Sequence, residues 1–370
     1  MVPRMKDALL CLEDGTSFRG TALSTSGEAA GEAVFNTALS GYQEVLTDPS
    51  YAGQIVVMTY PLIGNYGVNF EDMESDRVHV RGFVVKEFCR EHSNFRATES
   101  LVSYLDRHQI IAIEGVDTRA LTRHLRVAGA MKAMISTTDL DPVSLKAKLA
   151  LVPSMEGADW VRTVACQKAH IYKAVAKKMF KVVVIDCGIK LNILREMAAL
   201  GIESYVVPPT TSAAEILAQQ ADGIFLSNGP GDPAALPYIV KTVRELIGKL
   251  PIFGICLGHQ MLGLALGGRT YKLKFGHHGC NHPVKDLESG RIGITSQNHG
   301  FCVDLKSLDK SQIEASHINL NDQTVEGLRH KKYPLFSVQY HPEAAPGPND
   351  AKYLFTQFIQ LMEKYKKDHA

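Results

Sequence analysis

No apolar run in this 370-residue sequence reaches the roughly 18 residues that a membrane-spanning helix needs, so no such helix is expected. Charge of one sign is also lacking. The 40 Lys and Arg nearly balance 39 Asp and Glu, for a net +1, which argues against an electrostatic footprint for nucleic acid. The seven cysteines include no CxxC pair, and their odd number, scattered along the chain, suits a reducing cytoplasm where thiols stay free and one can be reactive. There is no HExxH, no internal repeat and no low-complexity segment. No GxxxxGK[ST] loop occurs, and nothing else recognisably binds nucleotide. The start, Met1 to Asp14, has only a short apolar patch and reads as a first strand, not as a signal peptide.

What is present suits a globular chain of two domains. Hydrophobic residues make up 45% and charged residues 21%, and the length exceeds the usual single-domain range. The expected fold class is α/β. Residues 1–150 are expected to form a mixed α/β domain, 151–180 a connection, and 181–370 a doubly wound, largely parallel domain. In the first part, Ala8–Glu13, Ile55–Thr59 and Gly82–Lys86 are strand-like, and Gly41–Tyr51 is polar and turn-rich. The spacing predicts a helix over Thr118–Val127, capped by Asp117, with Leu121 and Leu125 on one face and Gly129 closing it. A second helix is expected over residues 137–150, opening at Thr138. The weak pattern of 151–180 contains Trp160, whose presence suggests local packing.

From Lys181 onward, strands and helices alternate. Val182–Ile185, Ser204–Val207, Gly223–Ser227 and Ile252–Ile255 read as strands, with helices expected over Leu191–Leu200, Ala213–Gln219 and Leu236–Leu250. This alternation implies a parallel sheet with its site at the carboxyl ends of the strands. The two most unusual loops fall at those ends: Ser227–Asp232 and Gly254–Gly258.

Gly254-Ile255-Cys256-Leu257-Gly258 ends a strand and opens a helix. It is the cysteine counterpart of the tight elbow that exposes a serine nucleophile in hydrolases. The flanking glycines relieve backbone crowding, and the helix N-terminus places amide groups and a positive dipole end beside the sulfur. That placement matters, because a free thiol with its ordinary pKa near 8.5 is only about 3% thiolate at pH 7. A buried, inert cysteine would need no such flanks. Chance supplies them for about 4% of chains with this many cysteines and this much glycine.

A thiolate nucleophile needs a base oriented by a third group. Tyr340-His341-Pro342-Glu343 follows the strand-like run Leu335–Tyr340, and Pro342 holds His341 extended. Residues i and i+2 then share a face, so Glu343 can accept from one ring nitrogen while the other faces the sulfur. Gly229 and Gly231 in Ser227–Asp232 can shape an amide nest for a carboxylate or oxyanion, although a plain turn explains the same glycines. His277–His282 invites a zinc reading, but without CxxC or HExxH it reads as a flexible polar loop, and no metal site is expected.

Together the motifs LSNGPGDP (226–233), PIFGICLGHQ (251–260), FGHHGCNHPVKD (275–286), SQNHGF (296–301) and QYHPEA (339–344) resemble the class I glutamine amidotransferases. Their wording is that of the carbamoyl-phosphate synthetase small-chain family. FNTALSGYQEVLTDPSY (35–51), TYPLIGNYGVN (59–69) and GVDTRALTRHLR (115–126) resemble that family's N-terminal domain.

The resemblance implies Cys256 as the nucleophile that forms a γ-glutamyl thioester, His341 as its general base and Glu343 as the orienting acid. It implies glutamine binding by Ser50, Gly229, Gly231, Leu257, Gln260, Asn298, Gly300 and Phe301, with the amides of Leu257 and Gly231 as the oxyanion hole. It further implies a cytoplasmic heterodimer with a larger synthetase chain, which receives the ammonia and binds the ATP and Mg, while this chain carries no cofactor. By the same resemblance, the product is expected to serve arginine and pyrimidine synthesis. An amidotransferase subunit of another synthase would not need the first 150 residues. The intact Cys256, His341 and Glu343 argue against a silent scaffold, and Gln260 with Asn298–Phe301 against a cysteine peptidase.

Overall fold

The computed structural model describes residues 6–23, 25–175 and 177–369. It divides into two compact units. The first runs to Ala158 and includes Lys274–Gly279; the second comprises Asp159–Leu273 and the chain from Cys280 onward.

Seven strands close the first unit into a barrel, in the order Lys6–Leu12, Ser17–Ala22, Ile111–Glu114, Gly82–Val84, Gln54–Met58, Glu28–Asn36 and Met131–Ser136. Closure explains why alternation is hard to read here. In Gln54–Met58 all five residues are buried: Ile55 and Val57 join one core cluster, Val56 and Met58 the other. The helix Thr118–Ala128 is capped as expected, with the Asp117 carboxylate accepting from the Ala120 amide at 2.9 Å and Gly129 at φ 109°. The next helix is shorter than expected. It opens at Pro142 with Asp141 as its cap, because residues 137–139 are held in a turn first: the Thr137 amide donates to the Gly27 carbonyl, and the Thr138 and Asp139 amides donate to the Ser136 hydroxyl. Gly41–Tyr51 contains the helix Tyr42–Thr47 and the 3-10 turn Pro49–Tyr51.

The second unit is built on a ten-stranded sheet. Five neighbouring strands run parallel: Ile202–Val207, Phe180–Ile185, Gly223–Leu226, Ile252–Ile255 and Leu335–Val338. Beyond Leu335–Val338 the sheet continues with antiparallel strands, including Val325–His330 and Ile313–Asn319. The stretch 151–180 is not a plain connection. It contains the short helix Val161–Val164, preceded by half-buried Trp160, and the edge strand His170–Tyr172, which pairs with Ile202–Val207. Residues 277–282 do not form a loop either. They lie within the strand Arg269–Asp286.

Under the parallel strands, Phe253 stacks on Phe336 at 4.4 Å and meets Phe225 edge-on at 5.3 Å. Such pairs contribute roughly 0.5–1.5 kcal/mol each beyond burial. They fix the strand Ile252–Ile255 just before Cys256. Among the described residues, no helix is long and apolar enough to cross a membrane.

Candidate active site

Four adjacent parallel strands deliver their next residues to one edge of the sheet. Phe180–Ile185 leads to Asp186–Lys190, Gly223–Leu226 to Ser227–Asp232, Ile252–Ile255 to Cys256, and Leu335–Val338 to His341. This is the carboxyl end of the sheet, where open α/β folds place ligands.

Cys256 caps the helix Leu257–Ala265 with φ 54° and ψ −104°. A side chain held at positive φ stores strain, which the surroundings must enforce. Here the Cys256 amide donates to the Val338 carbonyl at 2.9 Å, and the Cys256 carbonyl accepts from the Gln260 amide at 3.1 Å. The glycines serve close approach. A Cβ on Gly258 would stand 2.2 Å from the Leu226 carbonyl oxygen, and one on Gly229 would stand 2.1 Å from that of Cys187. The Gly229 Cβ would also meet Leu257 Cδ2 at 2.9 Å, so the Ser227–Asp232 loop lies directly against the elbow. Gly231 in that loop has φ 87°.

His341 is held by its amide, which donates to the Ser296 carbonyl at 2.9 Å. Its Nδ1 lies 2.7 Å from Glu343 Oε1, as the i, i+2 spacing anticipates. Its Nε2 is buried and has no hydrogen-bond partner among the described residues, which leaves that nitrogen available to a thiol proton. Burial pushes the His341 ring pKa down. The Glu343 carboxylate and then the Cys256 sulfur more than offset this, so the net direction is upward. Burial likewise pushes the Glu343 carboxyl up, but the Lys190 ammonium and the His341 ring reverse that and hold it low.

The other expected residues fall partly together. Cys256 Sγ donates to the Asn298 carbonyl at 3.5 Å. Gln260 Nε2 donates to the Phe301 carbonyl at 2.8 Å and to Gln339 Oε1 at 3.1 Å, so its amide nitrogen is occupied in positioning 298–301. Gly300 has open space where a Cβ would stand. Ser50 lies in the first unit on the turn Pro49–Tyr51, where its amide donates to Asp48 Oδ1 at 2.9 Å.

Sequence reasoning missed Lys190 and Asn192. Lys190 Nζ lies 3.1 Å from Glu343 Oε1 and donates to the Ala344 carbonyl at 2.6 Å, while the Lys190 amide donates to Asn228 Oδ1 at 3.1 Å. Asn192 Nδ2 donates to the Glu343 carbonyl at 2.6 Å. The available signal was a lysine five residues after the buried run Val182–Ile185, at the end where the sheet places its site. Removing one partner of a buried ion pair costs about 3–5 kcal/mol. Lys190→Met is therefore expected to destabilise the chain by about 3 kcal/mol in urea titration. Adding Glu343→Gln should recover part of that loss, because the orphaned charge goes too; a double variant as unstable as the sum of the singles would contradict the pairing.

The opposed shifts of His341 and Glu343 also set a pH signature. The raised imidazole contributes stability below its unfolded value near 6.5, and this fades as pH rises through the folded value. The depressed carboxyl contributes above its unfolded value near 4.3, and this fades as pH falls through the folded value. The stability lost in Glu343→Gln should thus be largest at about pH 5–6 and shrink toward pH 9. Urea titrations across that range test it, and a loss that grows with pH would contradict the pair.

Comparison with known proteins shows the family to which both halves of the chain are similar. Residues 10–135 match the model of the carbamoyl-phosphate synthase small chain, CPSase domain, and residues 183–361 match that of glutamine amidotransferase class-I. A carbamoyl phosphate synthase small chain of Syntrophotalea carbinolica is 54% identical over 98% of this chain and 100% of its own length. Those of Solidesulfovibrio magneticus and Chlorobaculum tepidum are also 54% identical, over 96% and 97% of this chain and 98% of their own. With both domains matched and more than half the residues shared along nearly the whole length, the chain belongs to the carbamoyl-phosphate synthase small-chain family.

Proposed function

We propose that this chain hydrolyses glutamine and delivers the ammonia to a large synthetase chain that makes carbamoyl phosphate. The observation that carries this reading is Cys256 at positive φ on a helix N-terminus, with the His341–Glu343 pair at 2.7 Å on the adjacent strand end.

In this reading His341 Nε2 takes the Cys256 thiol proton, and the sulfur attacks the side-chain amide carbon of glutamine. The amide oxygen becomes an oxyanion facing the backbone amides of Leu257 and Gly231, where each donor contributes about 3 kcal/mol. Collapse breaks the C–N bond, and His341 returns its proton to the leaving nitrogen, giving ammonia and a γ-glutamyl thioester. His341 then takes a proton from water, which attacks the thioester; glutamate departs and the proton returns to sulfur. Glu343 keeps Nδ1 protonated and the ring aimed, and Lys190 neutralises its buried charge. Gly229, Gly231, Gln260, Asn298, Gly300 and Phe301 complete the set in the second unit that would hold glutamine.

No cofactor is assigned to this chain. ATP, Mg and bicarbonate belong to the large chain, and the setting is the cytoplasm, in arginine and pyrimidine synthesis. Reconstitution with the large chain tests the assignment. Glutamine should support carbamoyl phosphate formation only when both chains are present, while free ammonia should support it with the large chain alone. Glutamine-dependent synthesis without this chain would overturn the proposal.

A further inference from the structure

The first unit contains a cavity of about 490 Å³ lined by Thr37, Thr59, Arg119, Thr122, Arg123 and Arg126. A second cavity of the same volume, in the other unit, mixes Asp286 and Asp350 with Arg291 and so carries both signs of charge. In the first, every charge is positive. Arg119, Arg123 and Arg126 stand at i, i+4 and i+7 on the helix Thr118–Ala128, so they share one face over about 10 Å. Among the described residues no carboxylate lines this cavity, and Arg119 and Arg123 form no ion pair. The helix itself carries no acid; Asp117, its N-cap, accepts from the Ala120 amide, and Asp14, from the turn after the first strand, pairs with His124. Arg126 lies over the ring of Phe275 at 6.0 Å, which holds one guanidinium in place. A second observation points the same way. The Thr122 hydroxyl oxygen is buried in the cavity wall without a hydrogen-bond partner among the described residues.

Like charges at i, i+4 destabilise a helix, and a buried hydroxyl without a partner is costly; an anionic occupant relieves both. Guanidinium groups bind phosphoryl oxygens through paired N–H donors, and threonine hydroxyls add single donors. The volume falls in the range of small-molecule sites. We propose that this cleft binds a small polyanion carrying two or more phosphoryl groups, remote in sequence from the hydrolytic residues.

Isothermal titration calorimetry of the full chain with tripolyphosphate tests this, with citrate as the carboxylate arm. One saturable site is expected, weakening with added salt and weaker by tenfold or more in Arg119→Gln/Arg123→Gln, with glutaminase activity unchanged. The single variant Arg123→Gln, expected to weaken binding severalfold, serves if the double variant does not fold. No saturable binding, equal affinity in the variants, or citrate binding as tightly as tripolyphosphate would overturn the proposal. So would loss of large-chain binding in these variants without any polyphosphate binding, which would make the cleft a protein-docking surface.

Discussion

Cys256→Ser is expected to lower glutamine hydrolysis by about a thousandfold or more, because a nucleophile that acts as part of a unit removes nearly the whole advantage when lost. The substitution changes one atom and almost no volume, so the elbow and its hydrogen bonds to Val338 and Gln260 persist. Serine does not ionise near neutral pH as a thiol does, so His341 faces a far less acidic partner. With the large chain present, synthesis from free ammonia should continue at the unaltered rate. Residual glutaminase above about a tenth of the original would reject Cys256 as nucleophile.

His341→Asn should approach the same loss, on the order of a thousandfold, since asparagine accepts no proton from the sulfur. It also strips Glu343 of the ring that donates to it and leaves Lys190 alone to offset a fully buried carboxylate. Glu343→Gln should be milder, because the ring and its Nε2 remain while only its orientation and charge support weaken. Single-turnover measurements with glutamine would rank the three. Combining Cys256→Ser with His341→Asn should add little to either alone. A Glu343 variant slower than the His341 variant would reject these roles.

Much of the site was legible because its chemistry is local in sequence. Gly254–Gly258 carries the strand end, the elbow and the helix start within five residues, and His341 and Glu343 need only an extended i, i+2 relation. Lys190 was not legible, because its partner lies 153 positions away and only the parallel pairing of strands brings the two together. The parallel strands were readable from continuous β-branched runs such as Val182–Ile185, which are buried on both faces. The barrel was not, since closure depends on which distant strands pair: Lys6–Leu12 with Met131–Ser136, for example. For the same reason 277–282 looked like a loop. Gly279, its histidines and the flanking Gly276 suggest a turn, whereas the sheet uses the segment inside an 18-residue strand.

The most direct test of the central claim is to mix the chain with glutamine, quench in acid before a full turnover, and read the mass of the peptide containing Cys256. The account predicts an adduct equal to glutamine less ammonia on Cys256, labile to hydroxylamine and absent in Cys256→Ser. Glutamate released at the normal rate with no such adduct at any quench time, or an adduct on another cysteine, would contradict it.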